Sequence, residues 1–299
     1  MISEETLGNE TMRLKTLDGL PTLPVVALRI GEVVHSKSAS VHQVAEILRS
    51  DPATSAKLLR LVNSPYFGIP GGVSDVARAI PFVGFNTLYQ LVLSITVFDT
   101  LRIGVDGIDP RALWTHSLTV ATAARELAAE IRFNDPGACF TAGLLHDMGK
   151  IALAKLDPEK LAATLATMRS DGVSQEVAER QHGVMPHDRV GSRLARLWKF
   201  PAGLVTPIEQ HHSVHRLEIR ERMVPTLRTI TEVVAAADHL SLACQSSFET
   251  VQFEEDGERD AAELFARNGL GAAQHQALID RTRSQLERSR VFLSLLSGS

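Results

Sequence analysis

The chain offers almost no sequence signal for β-structure. Aromatic residues make up 5% of it, and no alternating apolar–polar run is bounded by hairpin turns, which argues against a sandwich or barrel. Cysteine is scarce as well: Cys139 and Cys244 are the two in 299 residues. Neither belongs to a CxxC pair, so neither a thiolate metal site nor a disulfide framework is indicated. Both stand among apolar or small neighbours and read as buried, inert thiols. No uncharged apolar run reaches bilayer length. The opening stretch, MISEETLGNE, is acidic and polar, unlike a secretory signal. These absences point to a cytoplasmic protein with no membrane segment. Positive charge is not in excess either. A formal net charge of −4 leaves no broad basic surface for DNA, and the local cluster Arg216, Arg220, Arg222 and Arg228 reads as a solvated face.

Helical periodicity dominates what is present. Four Asp-Pro pairs, at Asp51, Asp109, Asp135 and Asp157, each fit a helix start. The Asp side chain accepts backbone N–H bonds at the cap, and Pro occupies the first helical position, where its missing N–H costs nothing. After Asp51, Leu58, Leu59 and Val62 form an apolar stripe, which Asn63-Ser64-Pro65 ends. After Asp109 the stripe is Leu118, Ala121, Ala124, Leu127, Ala128 and Ile131. Residues 85–98 are apolar on more than one side and predict a central buried helix. The fold class is therefore all-α, with about a dozen helices. Breaks near 104–110 and 245–260 divide it into an N-terminal helical lobe (16–105), a second lobe (106–240) and a C-terminal helical extension (241–299).

Histidine carries the functional signal. Of eleven histidines, seven fall between His116 and His215. A buried neutral imidazole needs a partner for each nitrogen, and several imidazoles converging with carboxylates are most economically satisfied by a metal. The sharpest element is Leu144-Leu145-His146-Asp147-Met148-Gly149-Lys150, placed by the periodicity on a helix begun at Pro136. Lys150, three residues beyond Asp147, shares its face and either steadies the carboxylate or meets a phosphate. A His-Asp dipeptide also occurs by chance, and a hydrogen-bonded structural pair is the bland alternative. His182, His215, His35, His42, His275 and His239 read as ordinary surface or structural histidines.

At these positions the chain resembles a known superfamily. His116, His146-Asp147 and Asp238 look like the ligand set of the HD metal-dependent phosphohydrolases. His187, four residues before Gly191, and the pair His211-His212 look like the second-metal ligands of the HD-GYP branch. That resemblance implies an Asp147 that bridges two metals and matches Lys150 to the branch's lysine. The N-terminal stretches narrow it: Leu20–Pro24, Ile47–Pro52, Lys57–Ser64, Ala79-Ile80 with Gly84, Leu91–Ser94 and Trp198–Pro201 are similar to the HDOD signature. HDOD domains are signalling or regulatory relatives of the HD enzymes.

Two departures weigh against hydrolysis of a cyclic dinucleotide. The Gly-Tyr-Pro segment that should follow His211-His212 is replaced by Ser213-Val214-His215, and the Glu that would supply a third metal is Ala112. The resemblance thus implies a regulatory protein with a retained metal pocket, partnered by a signalling protein or a phosphorylated small molecule, with a homodimer as a further option. The alternative is a metal-dependent phosphohydrolase acting on a nucleotide or cyclic dinucleotide, with Asp147 and Lys150 in catalytic roles. Imidazole and carboxylate ligation without thiolate suits one or two ions of iron, manganese, zinc or nickel.

Overall fold

The computed structural model describes residues 22–34, 36, 39–100, 110–244, 262–263, 265–266 and 269–288. Fifteen helices, and no strand, occur among the described residues. The first five are α1 (Val25–Val34), α2 (Val41–Arg49), α3 (Pro52–Val62), α4 (Val76–Val83) and α5 (Phe85–Thr100). The next nine are α6 (Pro110–Glu130), α7 (Pro136–Leu145), α8 (Met148–Leu156), α9 (Pro158–Asp171), α10 (Gln175–Gln181), α11 (His187–Leu197), α12 (Ala202–Gln210), α13 (Leu217–Arg222) and α14 (Pro225–Cys244), with α15 (Ala272–Arg288) last.

Helix starts follow the Asp-Pro rule. Asp51 accepts from Thr54 N–H, Asp135 from Ala138 N–H and Asp157 from Lys160 N–H, each with Pro at the first helical position. Asp109 lies outside the described residues, as do the expected connectors at 104–109 and 245–260 and all of 289–299. Asn63 closes α3, and its carboxamide then holds the main chain of Val73 at 2.7 Å on both sides. This clamp fixes the loop that carries Tyr66 and Phe67.

The first five helices pack on one another, with α5 in the middle of them. Leu88, Leu91, Val92, Leu93, Ile95 and Val97 are all buried, so α5 is apolar on more than one side, as its sequence predicts. It also packs on α7, which joins the first five helices to the rest. There α6 and α7 lie side by side, with α14 against both and α12 against α7 and α14. Leu118, Ala121, Ala124, Leu127 and Ala128 of α6 have no exposure. Gly143 of α7 permits this closeness: a Cβ there would stand 3.0 Å from the Ala121 Cα. The last helix covers α6 and α14, with Arg281 paired to Glu126 at 3.3 Å and Glu130 at 2.6 Å. One apolar cluster runs from Leu23 to Ile279. Cys139 and Cys244 are free and buried within it, and burial pushes their thiols up to about 12 and about 11. No single helix among the described residues is long and apolar enough to cross a membrane.

Candidate metal centre

Six segments bring the singled-out residues together: His116 from α6, His146-Asp147 from the α7–α8 junction, Lys150 from α8, His187 from the start of α11, His211-His212 after α12, and Asp238 from α14. The His-Asp pair does not sit inside one helix begun at Pro136, as the periodicity predicts. That helix ends at Leu145, His146 caps it, and Asp147 turns away at φ −96°, ψ 13° before α8 begins. The apolar run on both sides hides this break from a pattern reading. Physically, the break lets two neighbouring side chains both enter the pocket. The Asp147 carbonyl accepts from Lys150 N–H at 2.9 Å and restarts the helix.

Two glycines set the second wall. The α8 backbone at Gly149 packs directly on α11 at His187 and Gly191, where any Cβ on Gly149 would run into the His187 carbonyl. A Cβ on Gly191 would in turn stand 2.9 Å from the Ile208 side chain. The spacing between His187 and Gly191 is therefore a packing requirement that presses His187 against Asp147.

Asp147 is the hinge of the arrangement. Its Oδ2 lies 3.4 Å from Nε2 of His116 and 3.3 Å from Nε2 of His146. Its Oδ1 lies 3.4 Å from Nε2 of His187 and 3.9 Å from Nε2 of His211. Asp238 Oδ1 closes the first side, 3.1 Å from His116 and 3.8 Å from His146. His212 closes the second, its Nε2 3.1 Å from that of His187. Donor atoms about 2.0–2.1 Å from a single ion in a tetrahedral array stand about 3.4 Å apart, which these separations match. Two groups, His116–His146–Asp147 and His187–His211–His212, each have all their donor atoms within 4.8 Å of one another and could hold a metal ion.

The orphaned atoms agree with this. Nε2 of His146, Nε2 of His211 and Oδ1 of Asp147 are buried without a directed hydrogen bond, an expensive condition unless something else satisfies them; Oδ2 of Asp147 has the Lys150 ammonium at 2.6 Å. The remote ring nitrogens, by contrast, are held. His146 Nδ1–H donates to the Gly143 carbonyl at 2.7 Å, and His211 Nδ1–H to those of Pro207 and Ile208 at 3.1 Å. His211 thus caps the end of α12 and also aims its Nε2 inward. Ser241 Oγ lies 3.3 Å from His116 Nδ1. Such partners fix tautomer and ring orientation around a metal.

The sequence reading missed Glu179 and Ser241. Glu179 is fully buried and sits 2.8 Å from His187 Nδ1. It also accepts from the His187 backbone N–H and from Gln175. Eight residues before His187 in a polar helix, it carries no spacing signal. Ser241 does: three residues after Asp238, it shares a helix face with it. The other histidines stay apart. His182 bonds to Thr167 at 2.7 Å, His42 is exposed beside Glu46, His275 packs on Phe265, His239 is half-buried and His215 exposed; His35 lies outside the described residues.

Electrostatics divide the ligands. Burial would lower the His116 pKa, but the Asp147 and Asp238 carboxylates outweigh it and push it up to about 9. His187 is likewise raised, against burial, by Glu179. Burial drives His211 down to about 3 and, together with His211, drives His212 well below the usual histidine range, so both are neutral. Burial opposes ionisation of Asp147, yet the imidazoles and Lys150, 2.6 Å from Oδ2, hold it well below the usual carboxylate range. Asp238 is lowered too, chiefly by His116 against its own burial. The pocket is closed on the Asp147 side, 1% exposed, and opens at its rim, where His116, Asp238 and Lys150 side chains are 23%, 21% and 20% exposed.

The HDOD domain matches residues 20–214, a span that contains every singled-out ligand except Asp238. An uncharacterized protein of Treponema pallidum (strain Nichols) is 24% identical over 221 residues, 71% of this chain and 41% of its own length. The chain thus spans about two-fifths of that relative. An HDOD domain protein of unknown function from Geobacter sulfurreducens superposes with a TM-score of 0.77 at 24% identity, over 97% of each chain. A protein from Shewanella amazonensis SB2B, named as a candidate phosphohydrolase, superposes with a TM-score of 0.71 at 25% identity, over 93% of this chain and 97% of its own.

Proposed function

Because this chain belongs to the HDOD domain family, with the all-helical fold of its structural neighbours, we propose that it is a regulatory protein built on a retained pair of divalent-metal sites. The observation that carries this reading is the position of Asp147, whose two oxygens face two separate sets of imidazoles. His116, His146, Asp147 and Asp238 would hold one ion, and Asp147, His187, His211 and His212 the other. All donors are nitrogen or oxygen, which suits iron, manganese, zinc or nickel. Ions held there would acidify a bound water and draw charge from phosphoryl oxygens.

The regulatory reading draws on what the chain has given up. Ser213-Val214-His215 stands where the related enzymes carry Gly-Tyr-Pro, and Ala112 where a third-metal carboxylate would be. In this reading a signalling protein, or a phosphorylated small molecule at the pocket rim, acts by binding one arrangement of the helices better than another. Its compartment is the cytoplasm, and neither DNA nor a lipid bilayer is a partner; a second copy of the chain remains a candidate partner.

One feature favours a second reading, a metal-dependent phosphohydrolase. Lys150 reaches Asp147 yet keeps part of its side chain at the rim, where it would meet a substrate phosphate; the similarity to the Shewanella protein named as a candidate phosphohydrolase points the same way. Elemental analysis of the purified protein, followed by assays on nucleotides and cyclic dinucleotides with Mn or Fe added, separates the two. Metal without turnover supports the regulatory protein. Turnover that Asp147→Ala abolishes and His182→Ala spares supports the enzyme. Protein that holds no divalent ion after remetallation sinks both.

A further inference from the structure

A second cavity lies away from the metal centre. It has a volume of about 460 Å³ and opens between the first five helices and the α6–α7 pair, a size within the usual range for small-molecule sites. Its N-terminal wall comes from the segments next to the HDOD signature stretches: Tyr66 and Phe67 follow Lys57–Ser64, and Phe82 lies between Ala79-Ile80 and Gly84. The proposed metal centre makes no use of these segments.

The chemistry of the walls is mixed in a defined way. Tyr66 and Phe67 pack edge to face with ring centroids 5.0 Å apart, and Phe140 sits 5.6 Å from Tyr66 on the far side. Phe82 lines the same cavity and is 62% exposed, a large apolar ring that the fold leaves uncovered. Between the walls stand two polar side chains of α5, Thr87 and Gln90. No hydrogen bond from either side chain is made to another described residue. They face the start of α7 at Gly137, where a Cβ would lie 3.3 Å from Gln90 Oε1 and 3.4 Å from both Thr87 Oγ1 and Asp135 Oδ1. Glycine leaves that space open.

Charge narrows the ligand. Arg125 is the one cation among the described lining residues, its guanidinium 4.8 Å from the Tyr66 ring centroid. The neighbouring Glu126 also lines the cavity and turns to Arg281 of α15 at 3.3 Å, so the described lining carries one cation and one carboxylate, with Arg125 the group able to receive an anion. An uncovered aromatic face takes a flat ring. A carboxamide supplies both a donor and an acceptor to its edge. A guanidinium takes an anionic tail.

From this placement we infer that the cleft between the first five helices and α6–α7 is a binding site for a purine mononucleotide, with the base against Phe82 and read by Gln90, and the phosphate toward Arg125. Arg125 lies nine residues from His116 on α6, about 13–14 Å along the helix, so the two sites are distinct. Both α6 and α7 run from this cleft to the metal centre.

Calorimetric titration of the full chain with guanosine 5′-monophosphate and adenosine 5′-monophosphate tests this, with guanosine and inorganic phosphate titrated alongside. The site predicts saturable binding of at least one nucleotide, weaker binding of the nucleoside or phosphate alone, and about tenfold or greater loss in Phe82→Ala and Gln90→Leu. Phe82 is exposed, so Phe82→Ala keeps the fold, checked by an unchanged Tm and metal content. Binding should persist in His146→Ala. Absence of binding to either nucleotide overturns the inference. So does binding that His146→Ala removes and Phe82→Ala leaves intact. None of these results bears on whether the other site holds metal.

Discussion

Glu179 and His187 form a buried pair: the carboxylate lies 2.8 Å from the ring Nδ1 and neither side chain has any exposure. The pair matters because the His187 side of Asp147 has no carboxylate of its own beyond the shared one. The first side has Asp238 as well. Glu179 orients His187 and supplies, one bond further out, the negative charge that the second set of imidazoles lacks.

Glu179→Gln should therefore weaken the second ion by about 10–100-fold and leave the first in place. Competitive chelator titration of wild type and variant checks this. Equal loss of both ions, or of neither, contradicts the division into two sites.

Gly149→Ala should destabilise the chain toward the upper end of the ~1–3 kcal/mol seen for overpacking, because the added Cβ meets the His187 carbonyl and not a movable side chain. Gly191→Ala, whose nearest neighbour is the Ile208 side chain, should cost less. Thermal unfolding of the metal-free proteins orders the two.

Metal affinity should rise with pH across the range 6–9. In the metal-free protein His116, raised to about 9, holds a proton at neutral pH that a metal must displace, and Glu179 raises His187 in the same direction. Each displaced proton contributes up to about tenfold per pH unit. His211 and His212 are already neutral and contribute none. The sign for folding is opposite. A histidine with a raised pKa stabilises the metal-free fold fully below about 6.5, and that stabilisation is lost as pH climbs through about 9. Titration in buffers of different ionisation enthalpy reads the protons released.

Much of this was legible in the sequence. Asp51, Asp135 and Asp157 mark their helix starts because capping is local chemistry, and α5 announces its burial because it is apolar on more than one face. The ligands of the candidate centre were legible as residue types, His-Asp beside Gly-Lys above all. Three things were not. The break at His146-Asp147 hides in an unbroken apolar run, because tertiary packing rather than local propensity makes it. Glu179 looks like any solvated glutamate in a polar helix until α10 is folded against α11. The cleft at Phe82 and Arg125 exists only where two segments of distant sequence meet.

Asp147→Asn should remove more metal than any single histidine substitution, since it takes a donor from both sides at once. His182→Ala, bonded to Thr167 outside the cluster, should match wild type. Elemental analysis after remetallation compares the three.

Anomalous diffraction at the absorption edge of the bound metal tests the central claim most directly. Two peaks, one beside each oxygen of Asp147, are the predicted result. A map from remetallated crystals with no peak within coordination distance of that carboxylate would contradict it.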